Sequence, residues 1–375
     1  MPQRAKQPLT STRDTGVSRT GSPGSAAGLE ECFSVVSSHR RLRNMIAKQS
    51  FRLILALVAV LSLGTMSATP VFADEGRDAE EATEPIGRDL SHETGVEEYW
   101  TRERLESAAP LDMPTMDPAE AKRESTAPAE EENQETIISE PVAPEGSGEG
   151  TLSAAVPSTI GRLFFTTPEG NGNCTASATN GKGGVKVITA GHCVHAGNDR
   201  TWYRNIIFIP SYYKGSAPHG VWRARHSVTF VGWAKSGDYR LDQAFVTLER
   251  KDGRSIVQTV GGNGLIGGHG NSWPNNRIWG YPANHPFDGE IPYYCDGPAN
   301  SVLFSSDAVQ ACRMNEGSSG GPWLKDRIDE NLGYTWAVTS RCAGPPFNPY
   351  TKCAMTNLYA APNHPNIFVL LNYGQ

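Results

Sequence analysis

The sequence predicts an all-β fold for its last 220 or so residues, on three observations. From about Leu152 onward, short apolar or β-branched runs alternate with clusters of Gly, Pro and Asn. Stretches with helical period are scarce there. Six of the seven cysteines fall in this part. Short runs punctuated by turn residues argue a β-sandwich or barrel, and the length suffices for two small barrels. The runs are Arg162–Thr167, Val185–Thr189, Asn205–Ile209, Ser227–Val231, Ala244–Leu248, Arg277–Trp279, Thr335–Thr339 and Ile367–Leu371.

The 375 residues are 38% hydrophobic and 20% charged, which excludes collagen, a membrane-spanning bundle and a wholly disordered chain. The net charge of −6 hides a split. Residues 1–73 carry +6, 74–150 carry −17 and 151–375 carry +5. Three segments with different roles explain this better than one globule.

The first segment is an address. Leu53–Leu63 is an apolar run too short to span a bilayer, which takes about 18 residues or more. Arg40, Arg41, Arg43, Lys48 and Arg52 precede it, and small residues ending in Val71-Phe72-Ala73 follow. That order makes residues 45–73 a secretory signal peptide cleaved after Ala73. Met45 would begin a signal of ordinary length, so residues 1–44 read as an extension from an upstream start codon.

Residues 74–157 are rich in Glu, Pro, Ala and Ser and poor in aromatics. Such a composition buries too little surface to offset chain entropy, and it predicts a mostly disordered pro-region, above all over Pro110–Gly150. One island stands out, from Glu97 to Leu105, with Tyr99-Trp100-Thr101 at its centre. Thr101 can cap a short helix with Glu103 in its first turn. A solvated linker and a docking motif both fit this island. Maturation is expected between Gly146 and Ile160.

Cys32 lies upstream of the expected signal cleavage. The remaining Cys174, Cys193, Cys295, Cys312, Cys342 and Cys353 are an even set in an exported domain, which implies disulfides. Six cysteines allow about 15 connectivities, and arithmetic alone does not choose among them. Nearest-neighbour pairing gives Cys174–Cys193, Cys295–Cys312 and Cys342–Cys353. A metal site on His192 and Cys193 is the rival reading, opposed by the absence of Cys-x-x-Cys or paired-His spacing.

Three motifs carry chemistry. In Val187-Ile188-Thr189-Ala190-Gly191-His192-Cys193, an apolar strand ends at a His beside a cysteine, where an imidazole can act as a general base near neutral pH. In Leu241-Asp242-Gln243-Ala244-Phe245-Val246, a carboxylate precedes an apolar strand and can be pinned to orient that imidazole. Asp238, in the turn four residues earlier, competes for the role. In Glu316-Gly317-Ser318-Ser319-Gly320-Gly321-Pro322-Trp323, glycines permit a tight turn that presents a hydroxyl and aims the N–H groups of Gly317 and Ser319 at one point.

The chain order His, Asp, Ser is that of chymotrypsin-type peptidases. TAGHC and GSSGGP resemble the His and Ser signatures of the trypsin/chymotrypsin superfamily. Cys174 and Cys193 resemble the disulfide that brackets the catalytic His there. Gly161–Thr166, Gly280-Tyr281-Pro282-Ala283 and the Tyr99-Trp100-Thr101 island are similar to its bacterial secreted branch, which includes the glutamyl endopeptidases. The resemblance spans about residues 160–375 and touches the pro-region faintly.

It implies two antiparallel six-stranded β-barrels in a peptidase domain at 158–375, with the site in the cleft between them. His192 and Asp242 would come from the first barrel and Ser319 from the second. It further implies Ser319 as nucleophile, His192 as base and then acid, Asp242 as orienting carboxylate, and Gly317 with Ser319 as oxyanion hole. The reaction would be peptide hydrolysis through an acyl-enzyme, with no cofactor and no metal. Ser318 stands where the family often has an Asp, which puts activation by a freed N-terminus in doubt. Arg313 and Arg341 flank the implied specificity pocket and suit an acidic, or at least non-basic, cleaved residue.

The expected partners are polypeptide substrates and the protein's own pro-region, with no nucleic acid and no stable membrane insertion after signal cleavage. The expected state is a secreted, extracellular monomer. The rival is an inactive peptidase homologue that acts as a secreted binding protein.

Overall fold

The computed structural model describes residues 3–4, 75–116, 136–146, 156–268, 270–302, 305–343, 353 and 356–374. Apart from a two-residue strand β1 (Gln3–Arg4), the extension 1–44 and the signal peptide 45–73 lie outside the described residues. Four short strands belong to the acidic segment: β2 (Pro85–Asp89), β3 (Ala109–Pro110), β4 (Thr115–Met116) and β5 (Thr136–Ser139).

The next six strands are β6 (Ile160–Thr167), β7 (Gly170–Thr179), β8 (Lys186–Thr189), β9 (Arg204–Pro210), β10 (Trp222–Phe230) and β11 (Ala244–Leu248). They pair antiparallel in the ring β6-β7-β8-β11-β10-β9 and close on β6. Strand β12 (Gly264–Gly267) leads to the second ring. That ring holds β13 (Trp273–Gly280), β14 (Tyr293–Ser301), β15 (Ala308–Ala311), β16 (Pro322–Lys325), β17 (Tyr334–Ala343) and β18 (Asn357–Pro362). Its order is β13-β14-β15-β18-β17-β16, antiparallel throughout and closed on β13. The chain therefore folds as two closed six-stranded antiparallel barrels, as the resemblance implies.

Strand periodicity shows how the first barrel forms. On β6, Leu163 and Phe165 join the barrel interior while Ile160 and Phe164 join a second apolar cluster outside it. On β9, Ile206 and Phe208 point inward while Ile207 and Ile209 join that outer cluster. Both faces are buried, so these strands read in the sequence as unbroken apolar runs rather than as an alternation. The second barrel is filled by Ile278, Trp323, Trp336, Leu358 and Ala360. Three disulfides, Cys174–Cys193, Cys295–Cys312 and Cys342–Cys353, follow the nearest-neighbour pairing.

One predicted strand is a helix. Residues Ile367–Asn372 are α-helical, with Ile367, Leu370 and Leu371 buried and Phe368 exposed. Burial at i, i+3 and i+4 is the helical period, and a five-residue run is too short to reveal it.

The acidic segment is more ordered than its composition predicts. Strand β2 pairs with His226–Phe230 of β10, the part of that edge that β9 leaves open after Trp222 and Arg223. Thr101 does cap the helix Arg102–Ser107, its side chain accepting from the Arg104 N–H. Trp100 is 6% exposed, packs beside Phe164 and donates its indole N–H to the Asn205 carbonyl at 2.6 Å. The island is thus packed against the first barrel. The order comes from surface supplied by the barrels, which a local composition does not register. Residues 117–135 and 147–155 lie outside the described residues, and with them part of the stretch expected to hold the maturation point. No helix among the described residues is long and apolar enough to cross a membrane.

Candidate active site

His192 sits on the 3₁₀ turn Gly191–Cys193 that follows β8. The Cys174–Cys193 disulfide ties that turn to β7, and the residue is 5% exposed. Asp242 ends the turn Tyr239–Leu241 before β11 and is fully buried. Its Oδ1 accepts from the His192 main-chain N–H at 2.8 Å, and its Oδ2 lies 2.8 Å from His192 Nδ1. The Ser340 hydroxyl, from β17 in the second barrel, donates to the same Oδ2 at 2.6 Å. Three such contacts thus converge on one buried carboxylate, which locates both the imidazole and its backbone.

Asp238 is engaged elsewhere. It caps the Tyr239–Leu241 turn through the Arg240 N–H and forms a two-point ion pair with the Arg240 guanidinium. The structure thus brings Asp242, not Asp238, to His192.

Ser319 lies on the loop Glu316–Gly321 and is fully buried. Gly320 sits at φ +76, and a Cβ there would come within 2.0 Å of Thr189 Oγ1 and 2.8 Å of Ala190 N. The close approach seats the serine loop against the strand end that carries His192. Gly317 sits at φ +86, where a Cβ would strike the Tyr281 carbonyl at 2.4 Å. Both positions need glycine, for conformation and for space.

Every carbonyl from 316 to 319 accepts a hydrogen bond. The donors are Ala283 N–H to Glu316, the Thr175 hydroxyl to Gly317, Gly321 N–H to Ser318 and Thr175 N–H to Ser319. Neither the Gly317 nor the Ser319 N–H donates to a described residue. His192 Nε2 and Ser319 Oγ are likewise buried without a hydrogen-bond partner among the described residues. An oriented imidazole, a hydroxyl and two open N–H groups are the parts that acyl transfer requires.

Ser340 was not legible as a site residue. It is one of several hydroxyl residues on a strand whose eight inner residues, Thr335 to Cys342, are buried. Cys174, His192 and Cys193 hold potential ligand atoms within 4.8 Å of one another. Both sulfurs are joined in the disulfide and are not thiolates, so the cluster does not fit a metal.

Arg341 is fully buried, its guanidinium bonded to the equally buried Asp307 and stacked over the Tyr239 ring. Its charge is matched inside the protein. Arg313 is exposed, and its carbonyl accepts from Asn284 Nδ2 at 3.1 Å.

No protein-family profile matches the chain, and no curated protein matches it. Solved structures do. The thermostable serine protease AL20 from an extremophilic microorganism is 32% identical with a TM-score of 0.52, over 58% of this chain and 96% of that one. Protease Anisep from Arthrobacter nicotinovorans is 29% identical with a TM-score of 0.53, over 59% of this chain and 96% of that one. A Glu endopeptidase is 17% identical with a TM-score of 0.44. With two closed barrels and nearly the whole of the AL20 chain matched, this chain belongs to the chymotrypsin-fold serine proteases.

Proposed function

We propose that the protein is a secreted serine endopeptidase, made as a precursor, that cleaves peptide bonds through an acyl-enzyme. Ser319 is the nucleophile, His192 the general base and then acid, and Asp242 the orienting carboxylate. The Gly317 and Ser319 N–H groups form the oxyanion hole. The observation that carries this reading is the double grip of Asp242 on His192, with Nε2 lacking a hydrogen-bond partner among the described residues.

In this mechanism His192 Nε2 takes the Ser319 proton as Oγ attacks the substrate carbonyl. The two N–H groups stabilise the oxyanion, a term worth roughly 3–4 kcal/mol per donor. The imidazolium then protonates the leaving amine, and water attacks the acyl-enzyme by the same route. Asp242 and Ser340 hold the imidazolium while it is charged.

The cleaved residue is proposed to be acidic or otherwise non-basic. With the Arg341 charge matched by Asp307, Arg313 is the cation that supports this preference. The pro-region is proposed to keep the precursor latent. Its residues Ala109–Pro110 pair with Gly172–Asn173 of β7, and Thr115–Met116 pair with Cys342–Ala343 of β17. At the first of these anchors the chain meets the serine loop, with Pro110 Cβ 3.5 Å from the position of a Cβ on Gly317.

The test compares Ser319→Ala with the parent protein, both matured, on casein and with a fluorophosphonate label. The parent is expected to digest casein and take the label at Ser319, and the variant to do neither. An unlabelled, inactive parent would instead identify a binding homologue.

A further inference from the structure

Thr175 immediately follows the cysteine that is disulfide-bonded to the neighbour of His192, and it is fully buried. All of its polar groups are used. Its N–H donates to the Ser319 carbonyl at 2.8 Å, and its own carbonyl accepts from the Thr189 hydroxyl at 2.9 Å. The side-chain hydroxyl donates to the Gly317 carbonyl at 2.8 Å and accepts from the Tyr281 N–H at 3.0 Å. A hydroxyl has one donor and two acceptor sites, so this pair of bonds is self-consistent.

From these bonds we propose that the Thr175 hydroxyl is a positioning residue for the oxyanion hole, an inference that rests on the function proposed above. Gly317 sits in the left-handed region, and without a Cβ it restrains its flanking peptides less than another residue would, so their orientation depends on hydrogen bonds. The hydroxyl fixes the Gly317 carbonyl and Ala283 N–H fixes the Glu316 carbonyl, so the peptides on both sides of Gly317 are held. The Thr175 main chain fixes Ser319 at the other end of the loop. The peptides that carry the Gly317 and Ser319 N–H groups are held by Ala283 N–H and Gly321 N–H, while Thr175 clamps the peptide that joins them and the one after Ser319, so one residue of the first barrel braces the stretch that separates the two N–H groups. Donors aligned before the oxyanion forms stabilise the transition state more than the ground state.

The test uses the full-length chain, matured with one added protease, as the parent, Thr175→Val, Thr175→Ser and Ser319→Ala. Valine matches the shape of threonine but leaves Gly317 O and Tyr281 N–H without a partner. Its kcat is expected to fall about 10- to 100-fold, with KM within about threefold of the parent. Affinity for a peptidyl boronic acid is expected to fall by the same factor as kcat. Serine keeps the hydroxyl and is expected to restore kcat to within about threefold.

A purely structural role would lower the melting temperature without moving kcat of the folded fraction. Thr175→Val with parental kcat, or Thr175→Ser as slow as Thr175→Val with both folded, overturns the inference. If the valine variant does not accumulate folded, Thr175→Ala carries the same comparison. An inactive parent, or Ser319→Ala as active as the parent, overturns the proposed function instead.

Discussion

Asp242 holds His192 at two points, the main-chain N–H and Nδ1, each at 2.8 Å. Because the bonds come from both oxygens of one carboxylate, the ring and its backbone are located together. Asp242→Asn preserves the shape but can stabilise the wrong tautomer of the ring. Its kcat is expected to fall about 10³- to 10⁴-fold with the fold intact. Steady-state kinetics on a peptide ester, beside near-ultraviolet circular dichroism, checks this.

Met113 is 2% exposed and packs in the second barrel's core with Cys342 and Cys353. It anchors the acidic segment between its strands Ala109–Pro110 and Thr115–Met116. Met113→Asp would bury an unpaired charge there and is expected to release the segment. The uncut precursor should then cleave a small peptide substrate at least about tenfold faster, a change of about 1.4 kcal/mol in occupancy. Unchanged precursor activity would count against latency by this segment.

Trp100 joins the acidic segment to the outer face of β6 and β9. Trp100→Ala is expected to destabilise the precursor by about 3 kcal/mol, the low end for a buried tryptophan. Urea unfolding of precursor and matured enzyme separates the effects, since enzyme already free of the segment should be indifferent to the change.

Lys186 is fully buried, bonded to Thr247 Oγ1 at 2.7 Å and to the Tyr373 carbonyl at 2.6 Å. Burial, with the nearby Arg225 charge adding to it, pushes its pKa down from 10.5 to about 8. Above pH 8 the unfolded chain still holds this proton while the folded chain has lost it. Stability therefore rises with pH between about 8 and 10.5 and carries the full penalty below 8. Unfolding free energy should increase by about 2 kcal/mol between about pH 7.5 and 9.5, and Lys186→Met should flatten the slope.

The motifs at 187–193 and 316–323 are legible because their chemistry needs contiguous residues: a strand end and a glycine turn. Asp242 is legible because it abuts a strand that must be buried. Ser340 and Thr175 are single hydroxyls on barrel strands, brought to the site only by the folding of distant segments, and no local pattern marks them. The acidic segment hides its anchors by spacing. Leu90, Val96, Trp100, Leu105 and Met113 are scattered among charged neighbours, so no window looks apolar, yet each is buried in the fold. Their binding surface lies in a part of the sequence that a local reading does not consult.

The strand Pro85–Asp89 fills the edge of β10 that β9 leaves open. A cut in the chain beyond Met116 severs the covalent link but none of those ladder bonds. Nicking and dissociation are therefore separate events for a protein built this way. A clipped sample can run as two fragments on a denaturing gel and still travel as one particle through a sizing column, the severed segment held by a shared sheet.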